Sequence, residues 1–133
     1  MIQQRLRIKR ADSDSGANRL LSAVMTRLPG AWFSPSHQEL ISLYRLRYGM
    51  ALEEKKYDSA LIFLNKILEV DPLNVEAKLL KGELYHRHLQ DYGRAIEQYN
   101  KVIRLTASRP EDRVHQRARV SLTEILESLS SRA

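Results

Sequence analysis

The feature that most constrains this chain is an internal repeat with a period of 35 residues. The segment Tyr57–Val70 reads YDSALIFLNKILEV, and the segment Tyr92–Leu105 reads YGRAIEQYNKVIRL. Tyr, Ala, Asn and Lys recur at the same places in the two copies. In each copy, apolar residues follow one another at intervals of three and four, which is the period of one helical face. The sequence therefore predicts repeated helical units that bury their apolar faces against one another.

A small residue begins the apolar stripe of each copy, Ala60 in the first and Ala95 in the second. Where two helices cross closely, only a small side chain allows the backbones to approach. We therefore expect both alanines to lie at helix crossings. Tyr57 and Tyr92, three residues earlier, are expected to cover the edges of these crossings.

Further helices are predicted before each copy and after the second one. Ser36 and Glu39 form the capping-box pattern, which predicts a helix that begins at Ser36. Pro72 prevents the first copy from continuing, and Asn74 is a favourable N-cap for the next helix. Pro110 suits the first position of a fifth helix. The predicted fold class is all-α.

The segment YDSALIFLNKILEVDPLN resembles the second helix of a tetratricopeptide repeat together with its closing proline. Ala60 and Ala95 stand at the small-residue site of that helix in the two repeats. Gly82 and Tyr85 match the small and aromatic sites of the first helix in the second repeat. In the first repeat, Gly49 or Tyr48 stands near the small-residue site.

The sequence departs from the tetratricopeptide pattern in three respects. The first repeat is one residue short between Gly49 and Tyr57, and the second is one residue long between Gly82 and Tyr92. The second repeat lacks its closing proline and has Ala107 near that position.

The resemblance implies a right-handed solenoid of stacked antiparallel helix pairs, with two full repeats, a C-terminal capping helix and a short N-terminal helix. Residues 1–16 are predicted to be a basic flexible arm, and residues 17–33 a short amphipathic helix and connector. Residues 34–133 form the repeat-like domain. Its repeats span about 41–74 and 75–109, and its capping helix spans about 110–129.

Charge and composition narrow the classes of function. The net charge is +6, and the first 30 residues, with six basic and two acidic side chains, contribute most of it. The repeat region therefore lacks the broad basic face that is typical of nucleic-acid binding. The absence of cysteine excludes disulfides and thiolate chemistry. No apolar run reaches the length of a membrane span, and we expect a cytoplasmic protein.

The resemblance implies that a segment of a partner protein binds in a concave groove lined by the first helix of each pair. The chain would then act as an adaptor, an assembly factor or a chaperone-like subunit. The groove candidates are Arg45, Leu46, Gly49, Glu53, Glu76, Leu79, Leu80, Glu83, Arg87, Arg113 and Arg117. The Lys, Asn and Arg clamp with which some family members hold a C-terminal carboxylate is not reproduced.

No enzyme chemistry is predicted, and neither a cofactor nor a metal site. His86 and His88 are two residues apart, so on a helix they point to different sides. Two other functions remain open. Residues 1–10 are basic and can contact nucleic acid, and residues 17–33 can be exchanged between protomers in a self-associating structural subunit.

Overall fold

The computed structural model describes residues 34–132 of the chain. The predicted arm over residues 1–16 and the predicted helix and connector over residues 17–33 lie outside the described residues. Within the described range the structure is helical and contains no strand, which confirms the all-α class. The helices are α1 (His37–Glu53), α2 (Tyr57–Val70), α3 (Val75–Leu84), α4 (Tyr92–Leu105) and α5 (Arg113–Arg132).

Helix α1 begins directly after Ser36, where the capping-box pattern places its start. It ends in a reversal at Lys55, whose φ of 59° lies in the left-handed region. The Lys56 amide donates to the Ala51 carbonyl at 2.8 Å, and the Lys55 amide donates to the Leu52 carbonyl at 3.0 Å. This pair of hydrogen bonds is a Schellman motif, and it satisfies carbonyls at the end of the helix.

The turn between α2 and α3 follows the sequence prediction. Helix α2 ends at Val70, before Pro72, and the Asn74 side chain accepts a hydrogen bond from the Ala77 amide at 2.9 Å. Asn74 is therefore the N-cap of α3, as predicted.

A π-helical turn, Tyr85–Leu89, continues α3 and is followed by Gln90 with a φ of 52°. The Asp91 amide donates back to the Tyr85 carbonyl at 2.9 Å, which closes this wide turn. A π turn holds one more residue than an α turn. It therefore accommodates the extra residue that the comparison of the two copies places between Gly82 and Tyr92.

Helix α5 begins three residues later than predicted. Pro110 lies in a turn in which the Arg109 amide donates to the Thr106 carbonyl at 2.9 Å. The Asp112 carboxylate then accepts from the Val114 amide at 3.0 Å. An Asp that accepts a backbone N–H two residues on favours a helix start at its own position. The start at Pro110 was wrong for that reason, and the helix extends past residue 129 to Arg132.

A buried polar link joins α4 to α5. The Thr106 hydroxyl donates to the Val102 carbonyl at 2.7 Å and also lies 2.8 Å from Nδ1 of His115. Because the hydroxyl has a single hydrogen, Nδ1 of His115 must donate the second hydrogen bond. This assigns the ring hydrogen to Nδ1 and satisfies two buried polar groups at once.

The core consists of two neighbouring clusters. Ala60 and Ala95 are fully buried, one in each cluster, as expected for helix crossings. The buried members of the first cluster are Ile41, Ala51, Ala60, Leu64, Ile67, Ala77 and Leu84. Those of the second are Leu79, Tyr85, Ala95, Tyr99, Val102, Ala118 and Ile125.

Helix α3 approaches α4 closely at Gly82, which is buried. A Cβ atom placed on Gly82 would lie 2.8 Å from Cε1 and 2.9 Å from Cδ1 of Tyr99, and 3.3 Å from Cβ of Gln98. Tyr99 is fully buried and Gln98 is nearly so. Since close-packed interiors have little room to relax, only glycine fits at position 82.

We expect Gly82→Ala to lower the free energy of unfolding by about 1–3 kcal/mol through overpacking, although Ala has the higher helix propensity. The matched control is Gly49→Ala in α1, where nothing lies within 4 Å of the added Cβ. It should raise the free energy of unfolding by up to about 1 kcal/mol. Urea unfolding followed by circular dichroism measures both. Equal effects at the two positions would contradict the close contact with Tyr99.

Candidate functional site

An open cleft of about 530 Å³ lies between α3 and α5. Arg113 and Arg117 of α5 lie on one side of it, and Glu83 and Arg87 on the other. These four residues are all groove candidates from the sequence, and the structure brings them together. The full lining is Glu83, Arg87, Arg113, Gln116, Arg117, Val120, Ser121 and Glu124.

The shortest ion pair of the cleft joins α3 to α5. Nη2 of Arg117 donates to the two carboxylate oxygens of Glu83 at 2.8 and 2.6 Å. The Glu83 side chain is only 17% exposed, so solvent screens this pair less than an ordinary surface pair. Charge-assisted hydrogen bonds of this length are stronger than neutral ones. The pair therefore links α3 to α5 across the cleft.

Two weaker ion pairs bind the neighbouring elements to one another. Arg87 lies 3.5 Å from Glu124, across the cleft, and Arg45 of α1 lies 3.2 Å from Glu76 of α3. All four side chains are about half exposed, so each pair contributes little to stability. Their main effect is electrostatic, because each arginine neutralises the negative charge of a glutamate along this side of the molecule.

Arg113 and Val120 are the groups that the cleft leaves available. Within residues 34–132, the Arg113 side chain forms no hydrogen bond or ion pair, and it is exposed. Val120 lines the same cleft and is 59% exposed. A cation without a partner beside an exposed apolar side chain can hold a carboxylate and an apolar group of another molecule together.

Tyr99 supports the cleft from within the core. Its hydroxyl lies 3.2 Å from Nδ1 of His86 and near Ser121, a lining residue. Burial raises the pKa of Tyr99 to about 12, against the opposing effect of the Ser121 side chain. Burial also lowers the pKa of His86, and nearby Arg87 acts in the same direction. Both groups are therefore favoured in their uncharged forms.

The charges of Glu83 and Arg117 in the cleft act on the phenol of Tyr48, which lies on α1. Burial raises the pKa of its phenol, the Glu83 carboxylate raises it further, and the Arg117 guanidinium opposes both. The phenol therefore lies within electrostatic reach of the central ion pair, although Tyr48 does not line the cleft.

Other groove candidates do not line the cleft. Leu79 is fully buried in the second core cluster, so its assignment to the groove was wrong. Helix α3 turns Leu79 towards α4 because Leu79 lies about 60° around the helix axis from Gly82, whose face carries the helix crossing. Leu80 is half-buried against the first cluster. Arg45, Leu46, Gly49, Glu53 and Glu76 lie on α1 and at the start of α3, outside the cleft lining.

The sequence prediction missed four lining residues on α5. Two of them, Val120 and Glu124, continue the helical stripe of Arg113 and Arg117 at intervals of three and four residues. That spacing could have identified them. The other two are Gln116 and Ser121.

Within the described range, no three His, Asp or Glu side chains are grouped closely enough to hold a metal ion. His86 contacts Tyr99, and the ring of His88 stacks on Tyr57 at 4.5 Å between centroids. The two imidazoles therefore have separate packing partners. Of the helices between residues 34 and 132, none has the length and apolar character required to cross a membrane.

Comparisons of the chain with protein-family models, with curated proteins and with solved structures gave no match. A function for the cleft must therefore be inferred from its own residues.

We expect the Arg117–Glu83 pair to show a coupling energy of about 0.5–1 kcal/mol in a double-mutant cycle of Arg117→Gln and Glu83→Gln. The more exposed Arg45–Glu76 pair is the matched control and should couple by about 0–0.5 kcal/mol. Urea unfolding of each single and double variant gives the two values. A larger coupling for the control pair would show that Glu83 is not the better-shielded partner.

Proposed function

We propose that this chain is a protein–protein interaction module of the tetratricopeptide type, which binds a segment of a partner protein in the cleft between α3 and α5. The observation that carries the proposal is that Arg113 and the exposed Val120, two helical turns apart on α5, line one cleft of about 530 Å³. The fold would serve as an adaptor, an assembly factor or a chaperone-like subunit. A cytoplasmic location is part of this proposal.

The packing order of the helices supports the repeat architecture. Consecutive helices pack on one another, and α5 contacts both α3 and α4. A helix that caps a stack of helix pairs would make these two contacts. The buried Ala60 and Ala95 occupy equivalent crossings, and the π turn accounts for the difference in length between the two copies. A right-handed solenoid of two pairs with a capping helix is the arrangement that we propose.

The charges of the cleft suggest the chemistry of the partner. Arg117 neutralises Glu83, and Arg87 lies beside Glu124, so neither acid strongly opposes an incoming carboxylate. Arg113 would pair with an Asp or Glu of the partner, and Val120 would pack against an apolar side chain of the same segment. A cation and an apolar side chain that line the same groove are typical of sites that hold an amphipathic helix or an extended peptide.

The test expresses the full chain with an affinity tag in its native cell. The variants are Val120→Asp and Arg113→Glu. Leu126→Asp is the matched control, because Leu126 is 50% exposed on the same helix but does not line the cleft. Affinity capture with mass spectrometry identifies proteins held by the unaltered chain and by the control. Calorimetry with the purified partner then gives each affinity.

We expect Val120→Asp and Arg113→Glu each to weaken binding by about tenfold or more, because each removes a direct contact at the centre of the site. Leu126→Asp should bind as the unaltered chain does. Circular dichroism verifies that all three variants are folded. The proposal is rejected if the captured partner binds the two cleft variants as tightly as the control, or if the unaltered chain captures no protein that Val120→Asp loses.

A further inference from the structure

A second surface, which is basic, lies on the side of α3 that faces away from the cleft between α3 and α5. Lys78 and Lys81 project from α3, and Lys101 and Arg104 project from the neighbouring α4. Five residues separate Lys78 from Glu83, which corresponds to about 140° around the helix axis. Lys78 therefore points away from the cleft that Glu83 lines.

These basic groups lie close together without enough acids to neutralise them. Burial lowers the pKa of Lys81, and the charges of Lys101 and Lys78 lower it further, with only Glu97 opposing. Glu97 is already paired with Lys101 at 3.1 Å. In the part of the chain that the structure describes, Lys78, Lys81 and Arg104 form no ion pair. Folding thus gathers Lys78 with Lys81 and with Arg104 in a region where the described residues supply few acids, which costs free energy unless an anion binds there.

Aliphatic side chains adjoin these cations. Leu73 is 70% exposed, and Leu105 is 42% exposed. With Pro72, Lys78, Lys101 and Arg104 they line a small open cleft of about 230 Å³, named here the basic cleft. The volume suits a single large apolar side chain, and the cations surround it.

We propose that the basic cleft docks an acidic peptide segment of a second partner protein, with one apolar side chain between Leu73 and Leu105 and flanking carboxylates on Lys78, Lys101 and Arg104. The lining favours a peptide over a nucleic acid, because no aromatic side chain lines the cleft to stack on a base. Carboxylates on either side of one apolar residue match both the charge and the shape of the site.

This surface is independent of the cleft between α3 and α5, since the two share no lining residue. A molecule that holds one segment on each side of α3 can bring two proteins together. The basic cleft would then supply the second contact that an adaptor requires.

The experiment uses the full chain and a fluorescein-labelled ten-residue peptide of Asp and Glu with one central Leu. Two probes accompany it: the same peptide with Ser in place of Leu, and a single-stranded ten-nucleotide DNA with the same label. Fluorescence anisotropy at two salt concentrations gives the affinity of each. The variants are Lys78→Glu and Leu73→Ser. The control is Arg119→Glu, which changes the net charge by the same amount as Lys78→Glu, at an exposed position of α5.

We expect Lys78→Glu to weaken binding of the Leu-containing peptide by about tenfold and Leu73→Ser by about threefold, with Arg119→Glu unchanged. The Ser-containing peptide should bind about threefold more weakly than the Leu-containing one. Circular dichroism confirms folding, and Leu73→Ser leaves all charges in place. Val120→Asp should leave this affinity unaltered, so the result does not depend on the cleft between α3 and α5.

Three outcomes would overturn the inference. Equal losses for Lys78→Glu and Arg119→Glu would show attraction to net charge alone. Equal affinities of the two peptides would show that Leu73 and Leu105 hold no apolar side chain. Tighter binding of the DNA than of either peptide would identify the surface as one that binds nucleic acid.

Discussion

The contact between Gly82 and the ring of Tyr99 is the constraint on which the rest of the described structure depends. The absence of a side chain at position 82 lets α4 approach α3 until the ring lies over the glycine. This proximity buries Tyr99 completely and places its hydroxyl against Ser121 of α5 and His86 of the π turn. The positions of α4 and α5 relative to α3 are therefore set around one buried ring.

The cleft between α3 and α5 follows from that arrangement. With α5 held to α4 by the buried link between Thr106 and His115, Arg117 reaches Glu83. The ion pair is a consequence of the packing more than its cause, because a partly exposed pair contributes little to stability. Its value to the site is that it neutralises Glu83 and leaves Arg113 as the available cation.

The distribution of charge around α3 divides the molecule into two surfaces. The acids Glu76 and Glu83 are paired with arginines from α1 and α5, whereas Lys78 and Lys81 on the other side have no ion-pair partner among residues 34–132. A single ten-residue helix thus separates a nearly neutral cleft from a basic one. This division supports a role in which the chain holds two protein segments at once.

The sequence predicted the all-α class and the positions of most of the described helices because local rules decided them. The 35-residue period located α2 and α4, and Asn74 marked the start of α3 through its own hydrogen bond. The start of α5 was wrong because Asp112 provides a cap that competes with Pro110.

For the candidate site, the sequence identified the charged residues Glu83, Arg87, Arg113 and Arg117, but it placed Leu79 in the groove. The direction of Leu79 depends on which face of α3 meets α4. That face is set by the Gly82 crossing, a contact between residues distant in sequence, and helical periodicity alone does not reveal it. Val120 was missed although its helical spacing from Arg113 and Arg117 could have identified it.

The most direct test of this account is a nuclear Overhauser measurement in solution on the full chain, with the α protons of Gly82 and the ring protons of Tyr99 assigned. The account predicts strong cross-peaks between them, together with an upfield ring-current shift of a Gly82 α proton. If the cross-peaks are absent and the Gly82 α protons resonate near their random-coil positions, the ring does not lie over the glycine. The packing that places α3 and α5 beside each other would then have to be different.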